Sequence, residues 1–184
     1  MFKALQTERL LIDTWKTTYA RYLQMFCKDK DMCVGDMNKA ESIEDCAVLI
    51  SKWCKDPLKY AVLYKEDSSV IGYIFLNSMV GFPNNLDIRF AISCDRRNNG
   101  YASEAVMAVC NKLFVKSNID AVCAKVRYDN KISMNVLNNC HFLADKTFQK
   151  FSYTSRNIYY LLCRDSWMNF QKEVTKNTLP GLVL

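Results

Sequence analysis

The stretch from Leu86 to Phe114 constrains this chain more than any other. Leu86, Ile88, Phe90 and Ile92 alternate with Asp87, Arg89, Ala91 and Ser93. Period two means a strand with one face toward the core and the other toward a more polar site. The alternation stops at Cys94, and Asp95-Arg96-Arg97-Asn98-Asn99-Gly100 carries turn chemistry. Ala102, Ala105, Val106, Val109, Leu113 and Phe114 then recur at helical spacing, a helix of about four turns. A further strand, Asp120 to Tyr128, alternates through Val122, Ala124 and Val126. Strand, helix, strand in this order predicts a right-handed crossover with a parallel pair.

The turn has chemistry of its own. A helix N-terminus exposes unpaired backbone N–H groups and the positive end of the helix dipole. Gly100, just before that terminus, lets those groups close on an anion, typically a phosphate. Arg96 and Arg97 add two positive side chains able to pair with it.

The remaining elements follow from local signals. Leu10-Leu11-Ile12 predicts a first strand, after which Thr14 or Thr17 can cap a helix carrying Tyr19, Tyr22, Leu23 and Phe26. Residues 28–40 read as a loop. Ser42 with Glu44 and Asp45 opens a second helix, ended by Asp56-Pro57. Strands are predicted over 60–65 and 70–79, with a turn at 66–69 and punctuation over 81–85. Asp129-Asn130 caps a short helix over Lys131 to Asn139, with Ile132, Val136 and Cys140 inward. Leu143 to Tyr153 and Ile158 to Arg164 form a closing hairpin. Trp167, Phe170 and Val174 give a last helical turn or two, followed by a loose tail from Thr175.

The chain has 184 residues, half of them hydrophobic, which suits one well-packed domain. A net charge of +6 without a long basic run suits an anionic ligand better than nucleic acid. Nine cysteines show no Cys-x-x-Cys spacing, and His141 is the single histidine, so no metal site is expected. The thiols read as reduced and mostly buried. No apolar run reaches the length of a membrane span. These features predict a soluble, cytoplasmic protein, monomer or homodimer.

With the order of elements in hand, the chain resembles the GNAT family of N-acetyltransferases. Within it the closest likeness is to the branch of ribosomal-protein N-terminal (alanine/serine) acetyltransferases. The residues that carry this are Thr7-Glu8-Arg9-Leu10, Ile71-Gly72-Tyr73-Ile74, Arg97-Asn98-Asn99-Gly100-Tyr101-Ala102-Ser103-Glu104-Ala105, Asn130 with Ser133, Val136-Leu137, and Phe142. The resemblance implies an α+β fold: a mixed, mostly antiparallel sheet of about seven strands, its fourth and fifth parallel, flanked by about four helices. It implies one domain over 1–168, with 14–58 as the helical acceptor side, 60–164 as the cofactor-binding sheet core and 169–184 as a tail. It implies acetyl-CoA as co-substrate and a primary amine as acceptor, with no metal. Ile92, Arg96, Arg97, Asn98, Asn99, Gly100, Tyr101, Ala102, Ser103, Asn130 and Ser133 are the implied cofactor residues. Asp87 matches the family's acidic position and is the implied base; Ser133 is the implied donor to the departing thiolate. Arg89, Trp15 and Tyr19 are assigned to the acceptor, within an aromatic set that includes Tyr22, Trp53, Phe151 and Tyr153.

Three positions depart from the family pattern. Arg89 stands where Gly is common, and a guanidinium beside Asp87 would make it a poorer base. Leu137 stands where many relatives carry a general-acid Tyr. His141 replaces the Gly before Phe142. The first two departures support an alternative, a non-catalytic CoA- or acyl-CoA-binding module of the same fold.

Overall fold

The structure, a computed structural model, describes residues 4–145 and 156–178, with side chains to residue 172. Among these residues eight strands form one sheet, in the order β1-β2-β3-β4-β5-β6-β8-β7. The strands are β1 (Ala4–Gln6), β2 (Leu10–Thr14), β3 (Lys59–Tyr64), β4 (Val70–Met79), β5 (Phe82–Ile92), β6 (Ala121–Arg127), β7 (Leu143–Asp145) and β8 (Asn157–Cys163). The helices are α1 (Ala20–Lys28), α2 (Ile43–Trp53), α3 (Tyr101–Lys116), α4 (Lys131–Asn139) and α5 (Arg164–Thr178). The sheet is mostly antiparallel, and β5 runs parallel to β6 with Asp87 opposite Cys123. This is the expected mixed α+β fold, with one more strand (β1) and one more full helix (α5). No described helix is long and apolar enough to cross a membrane.

The chain divides into two compact units, Met1–Asn77 with Ile88–Ser117 and Ser78–Asp87 with Asn118–Leu184. The divisions fall inside β4, inside β5 and between α3 and β6.

In the first unit, α1 and α2 supply one wall of an aromatic-rich core. Trp15, Leu23, Phe26, Ile50, Trp53, Tyr73 and Phe75 are buried together. Trp15 meets Trp53 edge-on at 5.3 Å, Trp53 meets Phe75 at 4.8 Å, and Tyr73 stacks on Phe75 at 4.4 Å. Aromatic pairs at these distances add to the burial of their area. α2 starts where expected. Ser42 Oγ accepts from the Asp45 N–H while the Asp45 carboxylate accepts from the Ser42 N–H, a complete capping box. α1 does not start on a threonine. The chain enters it through a 3-10 turn at Thr17–Tyr19, and no side chain caps it. The 28–40 loop also contains a 3-10 turn, Gly35–Lys39.

In the second unit, β6 and β8 bury Val122, Ala124, Val126, Tyr160 and Leu162. On α4 it is Met134 and Leu137 that are buried, whereas Ile132 is 61% exposed. The stripe is rotated from the one expected, because Leu137 and Phe142 close the helix end. Phe142 N–H bonds to Leu137 O and His141 N–H to Asn138 O, a Schellman motif. His141 occupies its left-handed position, φ 62°. That is the position where Gly is usual, and here the imidazole lies 3.7 Å from the Phe170 ring of α5.

Three segments differ from expectation. β5 begins at Phe82, inside the stretch read as punctuation. α2 ends at Trp53, before Asp56-Pro57. α5 runs fifteen residues across the expected boundary at 168. Its mean sequence is polar, which is why periodicity gave only a turn or two. Phe151 and Tyr153, the rest of the hairpin tip, and residues 179–184 lie outside the described residues.

Gly72 of β4 is closely packed against β5. A Cβ there would lie 2.2 Å from Ala91 O and 2.8 Å from Ile92 Cδ1. Gly72→Ala is expected to lower stability by about 1–3 kcal/mol through overpacking, measured by urea denaturation.

Candidate active site

The Arg96–Ala102 turn is built from backbone conformation. Asn98 and Gly100 are both left-handed, at φ 63° and 79°. Gly100 is the residue from which α3 starts, and no side chain caps the helix. Asn99 holds the turn from inside, its Nδ2 donating to Arg97 O at 2.9 Å and Arg96 O at 3.2 Å. An uncapped helix start behind a left-handed glycine fits an anionic group such as a phosphate. Ala102 and Ser103 follow in the first turn, half-buried, and Tyr101 is buried.

The acidic residue of that first turn is spoken for. Glu104 accepts from Thr7 Oγ1 at 2.5 Å, from the Arg9 N–H at 3.1 Å and from Arg9 Nε at 2.8 Å. Arg9 Nη1 donates in turn to Asn99 O at 2.9 Å, and the guanidinium lies 4.6 Å from the Tyr101 ring centre. Burial alone would raise the Glu104 carboxyl. The Thr7 hydroxyl and the Arg9 N–H and guanidinium outweigh it and hold the carboxyl below its ordinary value. Thr7 and Arg9 were visible in the sequence only as part of a resemblance. Their role needed the contact with Glu104, about which no local pattern informs.

The two arginines of the turn have carboxylate partners in the fold. Arg96 pairs with Asp67 at 2.6 Å and lies over the Tyr64 ring at 5.1 Å. Arg97 pairs with Asp29 at 3.3 Å and Asp31 at 3.1 Å, and its Nε donates to Ile92 O at 2.9 Å. Ile92 itself is buried. The aromatics assigned to the acceptor side divide by burial. Trp15 is 1% exposed and Trp53 8%, so both are core residues. Tyr19, 6.5 Å from Trp15 between ring centres, and Tyr22 are half-buried and reach the surface.

Arg89 is exposed on β5, within the first unit. In the second unit, Asp87 is half-buried and pairs in register with Cys123 of β6. Burial first, then the Asp87 carboxylate, pushes the Cys123 thiol up to about 12. It is a protonated thiol at neutral pH, unsuited to nucleophilic attack. Cys94, expected to be buried, is exposed. Asn130 Oδ1 accepts from the Ser133 N–H at 3.0 Å, so Asn130 is the N-cap of α4 and Ser133 stands in its first turn. Leu137 is fully buried. Among the described residues no cluster of His, Cys, Asp and Glu could hold a metal.

The family model for the acetyltransferase (GNAT) domain matches residues 9–143, more than half of the chain. The chain belongs to the GNAT acetyltransferase family and is an acetyl-CoA-dependent acetyltransferase. No curated protein sequence matches it. Solved structures share its fold. A GNAT-family acetyltransferase from Bacillus anthracis is 19% identical, with a TM-score of 0.72 over 88% of this chain and 99% of that one. The ribosomal-protein-S5-alanine acetyltransferase of Vibrio fischeri is 15% identical, TM-score 0.69, over 90% and 99%. The spermidine N-acetyltransferase of Vibrio cholerae, dodecameric in its structure, is 13% identical, TM-score 0.70, over 89% and 98%.

The Glu104 contacts carry a stability prediction with a definite pH window. Glu104→Gln is expected to cost about 1.5–3 kcal/mol at neutral pH, the range for hydrogen bonds to a charged group. The folded carboxyl titrates below its ordinary value of 4.5, so its contribution is complete above that pH. It is lost as pH falls through the lower, folded value. Denaturation midpoints of the two proteins should therefore converge in acid and separate above pH 4.5.

Proposed function

We propose that residues 1–168 transfer the acetyl group of acetyl-CoA to a primary amine, of a protein N-terminus or of a small molecule, by direct attack. The observation that carries this reading is the uncapped, left-handed start of α3 at Gly100. The backbone N–H groups from Asn98 to Ser103 are assigned to the pyrophosphate of the co-substrate. Because Arg96 and Arg97 already have carboxylate partners, the helix start and its dipole are the main source of attraction.

The chemistry needs a neutral amine. Asp87, half-buried at the end of the parallel register, is assigned as the base that accepts the ammonium proton directly or through one water. The amine nitrogen bonds to the acetyl carbon, the carbon–sulfur bond breaks, and the proton still carried in excess by that nitrogen passes to the departing CoA thiolate, which leaves as the thiol. Ser133, in the first turn of α4, is the assigned hydrogen-bond donor to that sulfur. Asn130 is assigned to the co-substrate through its amide nitrogen, since its oxygen serves the helix cap. The buried Leu137 argues against a general acid on that turn. Tyr19 and Arg89 are assigned to the acceptor; Trp15 supports Tyr19 from the core.

The alternative, a CoA-binding module without turnover, rests on Arg89 near Asp87 in sequence and on Leu137. Two variants separate the readings. Asp87→Asn is expected to bind acetyl-CoA as the wild type does and to lose about 10²-fold or more in free-CoA release with N-terminal peptides or small amines. Absence of turnover in both proteins, across the whole acceptor screen, establishes the binding module instead. Gly100→Val forces a β-branched residue into the left-handed region. It is expected to weaken acetyl-CoA binding about tenfold or more, read by calorimetry. An unchanged affinity in a folded Gly100→Val protein removes the helix-start assignment.

A further inference from the structure

Arg97 was assigned to phosphate by its place in the motif, but its partners in the fold are different. Its guanidinium touches three oxygen sources: Ile92 O at 2.9 Å, Asp31 at 3.1 Å and Asp29 at 3.3 Å. Its side chain and that of Asp29 are 24% and 26% exposed, whereas Asp31 is 76% exposed. Sheltered, charge-assisted contacts of a planar fork are the strong kind, so Asp29 is the main partner. Two carboxylates surround one guanidinium, which leaves no positive surplus to offer a diphosphate.

The segment reached by Arg97 is the loop after α1. Met32 N–H and Cys33 N–H both bond to Asp29 O, at 3.0 and 2.8 Å. Met32 is buried, and its carbonyl accepts from the Tyr73 hydroxyl at 2.6 Å. Tyr73 in turn stacks on Phe75 of the aromatic core. The loop is therefore tied on one side to β4 by Tyr73 and on the other to the anion-binding turn by Arg97. Arg97 also belongs to that turn by its backbone, its carbonyl accepting from Asn99 Nδ2 at 2.9 Å.

We propose that Arg97 is a positioning residue: its side chain holds the Asp29–Cys33 loop of the acceptor side against the anion-binding turn, and through that loop sets affinity for the amine. This rests on the acetyltransferase reading above. Lysine cannot reproduce the arrangement, because an ammonium does not present a fork to three separate oxygens.

The test compares wild type, Arg97→Ala, Arg97→Lys, Asp29→Asn and the Arg97→Ala/Asp29→Asn double variant. It reads acetyl-CoA affinity by calorimetry, amide hydrogen exchange at Met32 and Cys33, and steady-state kinetics with the best amine of the acceptor screen. Arg97→Ala is expected to change acetyl-CoA affinity less than about threefold while speeding exchange about tenfold or more. It should raise the acceptor KM about fivefold or more with kcat nearly unchanged. Asp29→Asn should reproduce both effects, Arg97→Lys should not rescue them, and the double variant should be no worse than either single one. A tenfold or larger loss of acetyl-CoA affinity in Arg97→Ala, absent from Asp29→Asn, would make Arg97 a phosphate ligand and overturn the proposal, with about 1.4 kcal/mol per tenfold as the scale. So would unchanged exchange and KM. If Arg97→Ala fails to fold, Asp29→Asn and Asp31→Asn read the same tie from the opposite partner. A wild-type chain that binds no acetyl-CoA removes the acetyltransferase reading instead, and its exchange pattern still reports on the loop.

Discussion

One carboxylate organises the segment around the start of α3. Glu104 lies in the first turn of α3 and gathers a hydroxyl, a backbone N–H and a guanidinium from the segment between β1 and β2. Those ties fasten the start of the chain to the start of the helix. Arg9 passes the restraint on to the turn itself by donating to Asn99 O. The left-handed residues Asn98 and Gly100 are thus held by partners on both sides of the helix start. An acid in the first turn would ordinarily compete with a bound anion for the helix dipole. Here it is neutralised by Arg9, and the helix start keeps its positive character.

The same internal balancing runs through the whole turn. Arg96 answers Asp67, Arg97 answers Asp29 and Asp31, and Arg9 answers Glu104. Each pair joins segments far apart in sequence, so the positive side chains act as structural ties more than as a charged surface. What remains for an anion is a set of oriented backbone groups. Backbone dipoles at a helix start are already aligned, so the proposed anion site needs little reorganisation.

Legibility tracked the range of the interaction. The capping box at Ser42, the Asn130 cap and the alternation of Leu86 to Ile92 are set by neighbours within a turn or a strand, and each was read correctly. The inward face of α4 was read wrongly at Ile132, because Phe142 and the Schellman motif decide which side of the helix is covered. α5 was underestimated for the opposite reason: a polar helix leaves little periodicity to see, and its ring contact with His141 is tertiary. Trp15, assigned to the acceptor side, is a core residue, since its neighbours Trp53 and Phe75 come from α2 and β4.

The sequence by itself determined the mixed sheet, the parallel pair and the Gly100 helix start, because backbone conformation and hydrophobic period are written locally. It also carried the likeness to the GNAT family through the motif around that glycine. Only the tertiary structure decided what the arginines do. The carboxylates that claim Arg97 stand 66 and 68 residues away, and no spacing rule reaches that far. In the folded molecule the motif around Gly100 is a left-handed helix start whose neighbouring arginines pair with carboxylates from distant segments.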